Sequence, residues 1–373
     1  VPHQPAAPAL SPPRPTRYDG DPMPNATIAV DAMGGDFAPE ETVKGVARLS
    51  LETQLDLLLV GDEPRISELL TRVRHNPERI GVWHAPEAIG MGEKPAEALA
   101  GKPEASISPP ELPLAPATAD GVADALVTAG NTGAAILACA DALRLLPGVR
   151  RAALAAVFPT ALRHGLKEDP FSLVLDVGAG LEATADDLVT YAVMGSAYAR
   201  VISRNPRPRV ALLSNGTEAE KGTAAIVEAH RRLAELQGID FIGNIEGIDI
   251  PRGTADVVVT GGFVGNVVLK MLEGVAETVM ELARFAYKER LAWRMGLTML
   301  GGRIRQLKKV TDWEQYGGAP ILGFDKVVIK AHGRSKEQAI FNACKVAAKA
   351  VAASIPASIA GLMVESPLRA SGE

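Results

Sequence analysis

The chain has 373 residues, 47% of them hydrophobic and 22% charged, so it can bury a sizeable core and is neither a mini-protein nor disordered as a whole. Lys and Arg number 39 against 44 Asp and Glu, and the formal net charge of -5 excludes general nucleic-acid binding as the main task. Cys139 and Cys344 have no CxxC spacing and no accompanying His cluster, which argues against a disulfide framework or a zinc site and fits a reduced, cytoplasmic setting. Residues 1–24 are Pro-rich and poor in aliphatics, and are expected to be a disordered extension without the apolar region of a signal peptide. No uninterrupted apolar run reaches the ~18 residues of a membrane span.

From residue 25 to about 355 the pattern is that of one α/β domain. Short aliphatic runs alternate with helical stretches: TIAVD, LDLLLVG, ADALVTAG, ALAAVFP, FSLVLDVG, RVALLSNG, IDFIGNIEG, ADVVVTGG and KVVIKAHG. Strands apolar on both faces are covered by helices on both sides, so the expected fold is a three-layer α/β/α arrangement on a largely parallel sheet. In such sheets ligands bind beyond the strands' C-terminal ends, and the polar loops that end these runs are expected to converge on one cleft. Residues 101–121, rich in Pro, are expected to be an irregular loop, and 356–373 a C-terminal tail.

Within this pattern, TAGNTGA at 128–134 opens a helix after a buried strand. Its glycines, Asn131, Thr132 and the free amides of a helix start suit phosphate or carboxylate, and equally an ordinary N-cap. DVGAGLEA at 176–183 matches GxGxxA, yet no acidic residue ends the next strand to hold a ribose, which argues against a nicotinamide cofactor. In LLSNGTEAEKG, Asn215 stays open, while Thr217 and Glu220 have capping-box spacing. ADVVVTGGFVGNVVLK at 255–270 repeats the strand, glycine turn and helix, with Lys270 on the helix's second turn. Between Arg284 and Lys309 eight basic residues face one acid, Glu289. Interleaved with Trp293 and aliphatics, they read as a protruding amphipathic hairpin over about 284–312, suited to an anionic membrane surface or an acidic protein, or as a solvated face. His332 ends the last strand, where a proton-transfer or a structural role is open.

Taken together, IAVDAMGGDFAPEETVKG (28–45), TAGNTGA, LDVGAG, LLSNGTEAEKG, FIGNIEG, ADVVVTGGFVGNVVLK, YGGAPILG (316–323) and VIKAHGRS (328–335) resemble one family, the bacterial phosphate acyltransferases (PlsX). The resemblance implies an α/β fold similar to isocitrate dehydrogenase and phosphotransacetylase, working as a homodimer without nucleotide or metal. It implies transfer of a fatty acyl group from acyl carrier protein to inorganic phosphate, in the cytoplasm or peripherally on the inner face of the cell membrane. The positions it marks as catalytic candidates are Asn131, Lys270 and His332. Gly34, Gly35, Thr132, Gly133, Asn215, Gly265 and Asn266 are phosphate-binding candidates, and Asp31, Asp36 and Lys94 lie elsewhere in the expected cleft. Arg284, Lys288, Arg290, Trp293 and Arg294 are candidates for carrier or membrane docking. Phe37, Gly92, Gly180 and Gly261 stand where the family usually carries polar side chains. A catalytically impaired relative acting as a carrier- or membrane-binding scaffold is the alternative those departures leave open.

Overall fold

The computed structural model describes residues 26–107, 122–160, 171–289 and 317–365. Eleven strands form one sheet: β1 (Thr27–Asp31), β2 (Asp56–Gly61), β3 (Ile80–His84), β4 (Ala125–Thr128), β5 (Ala153–Pro159), β6 (Phe171–Leu175), β7 (Arg209–Leu213), β8 (Asp240–Ile245), β9 (Val257–Val259), β10 (Ala319–Leu322) and β11 (Val327–Lys330). Between them run helices α1 (Glu40–Glu52), α2 (Glu63–Thr71), α3 (Pro95–Gly101), α4 (Thr132–Ala142), α5 (Ala185–Ile202), α6 (Ala224–Glu235), α7 (Asp249–Arg252) and α8 (Gly262–Glu289). Helices α9 (Glu337–Ala352) and α10 (Ile355–Glu365) follow β11.

Successive strand residues point to opposite faces, and both faces are covered. In β1, Ile28 and Val30 join the core built with α1, α2, α5, α6, α9 and α10, whereas Ala29 joins the one built with α3, α4, α7 and α8. The strands therefore consist of nearly uninterrupted apolar residues, as in Val257–Val259, all fully buried. Four helices start on side-chain caps: Asp62 for α2, Asn131 for α4, Thr223 for α6, and a Thr184–Asp187 capping box for α5.

The order β3-β2-β1-β4-β11-β10-β5-β6-β9-β7-β8 joins two parallel groups. Strands β3, β2, β1, β4 and β11 run one way. The pairs β11–β10, β10–β5 and β5–β6 are each antiparallel, so β6, β9, β7 and β8, parallel among themselves, run the opposite way. This corrects the expectation of one cleft. The loops after β1, β4 and β11 emerge at one edge of the sheet, those after β6, β9 and β7 at the other.

Three further expectations change. The residues from 356 do not start a tail: Ile355, Ile359, Leu362 and Met363 of α10 are buried in the core, and α10 packs on α5. Thr217 and Glu220 form no capping box, because α6 begins only after Thr223. Of the loop expected at 101–121, Gly101 ends α3 and Ala105 bridges to Glu87, while 108–121 lie outside the described residues. The extension at 1–24 also lies outside them.

Candidate active site

The first edge gathers polar groups around the end of β1. Asp31 is buried and accepts three hydrogen bonds. The Ser106 hydroxyl donates to Oδ1 at 2.6 Å, the Thr128 hydroxyl to Oδ2 at 2.6 Å, and the Met33 amide to Oδ1 at 3.2 Å. One carboxylate thus ties β1, β4 and the segment after α3 together. Gly34 packs against it so closely that a Cβ there would stand 2.2 Å from Asp31 Oδ2 and 2.7 Å from the Gly130 nitrogen. Gly35 adopts a φ of +110°, a left-handed conformation suited to glycine. Asp36 then bonds through its amide to the Gly333 carbonyl at 2.8 Å, bringing the β1 and β11 loops side by side.

Asn131 caps α4: its Oδ1 accepts the Ala134 amide at 3.1 Å. Its Nδ2 donates to the carbonyls of Met91 at 3.3 Å and Glu93 at 3.0 Å, so the same side chain anchors the loop that leads into α3. Thr132 and Gly133 occupy the first turn, where amides have no carbonyl partner inside the helix. Lys94 stands at the rim, exposed and paired with Glu97 at 2.9 Å.

Two strand and helix ends complete the group. His332 is half-buried, and its Nδ1 accepts the Arg334 amide at 3.2 Å, which leaves the neutral ring's proton on Nε2. Burial first, and the nearby Lys270 charge second, hold His332 below its ordinary value, so the ring is neutral at pH 7. Lys270 reaches this edge because α8 starts at the opposite edge and runs back across the sheet face. It is exposed and 3.3 Å from Glu273. One turn further, Glu277 pairs with Arg334 of the β11 loop at 3.7 Å.

The remaining candidates fall elsewhere. Asn215, exposed after β7, and Gly265 and Asn266, after β9, belong to the second edge, so one chain does not bring them to Asn131 and His332. The glycines there serve packing. A Cβ on Gly265 would stand 1.9 Å from the Asp176 carbonyl oxygen, and one on Gly262 2.1 Å from the Gly180 oxygen. Asp176 itself is buried, accepting amides from Leu154, Gly178, Ala179 and Gly180 at 2.8–3.0 Å; burial raises its carboxyl above the usual range despite those bonds. Arg284 and Lys288 are exposed near the end of α8, while Arg290, Trp293 and Arg294 lie outside the described residues, as does most of the expected hairpin.

Of the positions that depart from the family pattern, Gly92 has open space around a Cβ. At Gly180 and Gly261 the nearest atom would be 3.7 Å away. Phe37 is exposed, with the Lys336 ammonium 5.4 Å from its ring centre. Neither the backbone nor the packing at these three glycines requires glycine.

Lys330, Thr128 and Ser106 belong to the site without having been singled out in the sequence. Lys330 is buried at the end of β11, in register with Thr128 of β4. Burial pushes its amine down to about 8, against the pull of Asp31 and Asp36. A lysine closing the apolar run VVIK, immediately before AHG, is the signal that marks it.

A family model described as "Fatty acid synthesis protein" matches residues 26–358. A phosphate acyltransferase of Dictyoglomus turgidum is 41% identical over 325 residues, covering 87% of this chain and 94% of the relative. One from Lacticaseibacillus casei is 39% identical over 326 residues, covering 87% and 92%. Among solved structures, a phosphotransacetylase from Streptococcus pyogenes superposes with a TM-score of 0.56 at 16% identity, over 88% of this chain and 94% of that one. The EutD phosphotransacetylase of Staphylococcus aureus gives 0.54 at 17% identity, over 88% and 95%. These two establish likeness of fold.

Proposed function

The chain belongs to the phosphate acyltransferase family of fatty acid synthesis proteins, and from that premise we propose that it transfers a fatty acyl group from acyl carrier protein to inorganic phosphate. A phosphate oxygen attacks the thioester carbonyl carbon, the C–S bond breaks, and the carrier leaves as a thiolate while acyl phosphate is released. The leaving thiol is acidic enough, at about 8.5 in its free form, to depart without a strong general acid. That agrees with a His332 that is neutral and held by a backbone amide.

The observation that carries this reading is the joint placement, at one edge, of the α4 N-terminus, the glycine turn at Gly34 and Gly35, His332 and Lys270. A helix start attracts the phosphate. Lys270 faces the negative charge that grows on the carbonyl oxygen. Asn131 holds the loop at 90–93 against that helix start, so its work is positioning the walls of the cleft.

For the dimer and the docking surface, the support is α8. Val264, Val267, Met271, Val275 and Val279 recur at helical spacing and are all 48–65% exposed, an apolar stripe of the kind that a second copy covers. Arg284 and Lys288 beyond it provide positive charge for an acidic carrier or for anionic lipid at the inner membrane face.

The test is release of carrier thiol from a long-chain acyl carrier protein, with and without phosphate. Release should need phosphate. Asn131→Ala should lose about 1 kcal/mol of stability with its cap and at least about tenfold in rate as the loop at 90–93 loosens. Lys270→Ala should fold normally and slow the reaction. A folded protein that binds the carrier but releases no thiol would overturn the transferase reading in favour of the scaffold one.

A further inference from the structure

We propose that Lys330 is a binding residue for the substrate phosphate, and that it, rather than the exposed Lys270, supplies the main positive charge and two hydrogen-bond donors to the anion. The proposal rests on the acyl-phosphate reading above and names the group that holds its acceptor.

A protonated lysine carries three N–H donors, and buried donors are normally satisfied. The Lys330 amine donates to the neighbouring Ala331 carbonyl, and no ion pair ties it to a carboxylate among the described residues. Asp31, whose charge acts on Lys330, accepts from Ser106, Thr128 and Met33 and makes no hydrogen bond to the amine among the described residues. Two donors of a buried cation are therefore left for a group the protein itself does not supply. An oxygen-rich anion is the group that fits.

The surroundings point the same way. Asp31 from β1, Asp36 from the following loop, Lys270 from α8 and His332 beyond β11 are the charged or titratable groups that act on Lys330 or feel it. Three basic groups thus converge beside the glycine turn and the α4 N-terminus. Among the cations, Lys270 is mostly in solvent and shares its charge with Glu273, so it is screened. Lys330 is 6% exposed and acts at short range in a low-dielectric setting.

This placement makes phosphate binding depend on pH. In the ligand-free protein the Lys330 amine loses its proton at about 8. A phosphate against it favours the charged form, so binding above that point takes up a proton, and affinity falls by up to about tenfold for each further pH unit. Over this range inorganic phosphate is already the dianion and His332 is already neutral, so neither produces the fall.

The experiment is calorimetric titration of inorganic phosphate into the full chain and its Lys330→Met variant between about pH 7 and 9.5, alongside thiol release. Parent affinity should fall above about pH 8. The variant should bind about ten- to a hundredfold more weakly below that pH and lose the slope above it. In thiol release its KM for phosphate should rise while its KM for the acyl carrier stays. A folded variant with parental phosphate affinity overturns the proposal. If Lys330→Met does not fold, the parent alone decides, and a flat affinity profile overturns it. A parent that releases thiol with a flat profile removes Lys330 while leaving the transferase reading intact, whereas a parent that neither binds phosphate nor releases thiol removes both.

Discussion

Gly265→Ala is expected to destabilise the protein by about 3 kcal/mol or more, at or above the upper end of ordinary overpacking. Its new methyl group would stand 1.9 Å from the Asp176 carbonyl oxygen and 2.9 Å from the Asp176 carbonyl carbon, both backbone atoms. Neither side can give way without moving α8 or the turn after β6, and that turn is fixed by four amides on one buried carboxylate. Gly180→Ala and Gly261→Ala, in the same pair of loops, should change stability by no more than about 0.5 kcal/mol, since 3.7 Å is ordinary contact. Urea unfolding midpoints of the three variants check this. Equal shifts in all three would mean that the contact between α8 and the Asp176 turn is not tight.

Asp31→Ala should be nearly as costly, for a chemical reason. The buried hydroxyls of Ser106 and Thr128 and the Met33 amide would all lose their acceptor at once. Unsatisfied buried donors cost about 1–3 kcal/mol each, and because the three share one partner a combined loss of at least about 3 kcal/mol is expected. Phosphate-dependent thiol release should fall by two orders of magnitude or so, because the same carboxylate sets the glycine turn and the end of β4. Asp31→Asn separates geometry from charge. It keeps the shape and one acceptor oxygen, which can serve Ser106 and Met33, but turns the other into an N–H donor against the Thr128 hydroxyl, so a smaller loss of about 1–3 kcal/mol is expected, and it removes a negative charge that helps Lys330 stay protonated. Its phosphate affinity should therefore begin to fall at lower pH than in the parent. A parental pH profile in Asp31→Asn would show that the two groups do not interact.

Nine of the eleven strands were legible as apolar runs, because a strand covered on both faces leaves an unbroken hydrophobic signature. The two that were not are short or half-exposed. Residues IGVWH of β3 sit at the sheet's edge with no buried residue, and APIL of β10 spans four residues including a proline. Missing β10 was not what hid the reversal: β11 and β5 on its two sides run the same way, and the direction changes at the antiparallel β5–β6 pair, both of whose strands were legible. Direction of pairing is a tertiary property that local pattern does not carry.

The site shows the same division. Asp31, Asn131 and His332 were visible because polar residues at strand ends stand out against apolar runs. Lys330 was not, since a lysine ending a strand is usually a solvated one, and its burial follows from the register that sets it beside Thr128. The glycine turn after β9 was visible but its purpose was not. TAGNTGA and TGGFVGN look alike in the sequence, yet the first sits beside a buried carboxylate and a loop it anchors, while the second is packed against another backbone turn.

That packed turn makes α8 a lever with a very short fulcrum. The helix leaves its two-glycine seat and continues for 28 residues, about 42 Å at the helical rise. A tilt of about 5° at the seat would carry its far end roughly 4 Å, and Arg284 stands about 33 Å out along the arm. Substituting a glycine of the seat should thus be felt as a change of aim at the cationic end, far along the helix from the altered atom.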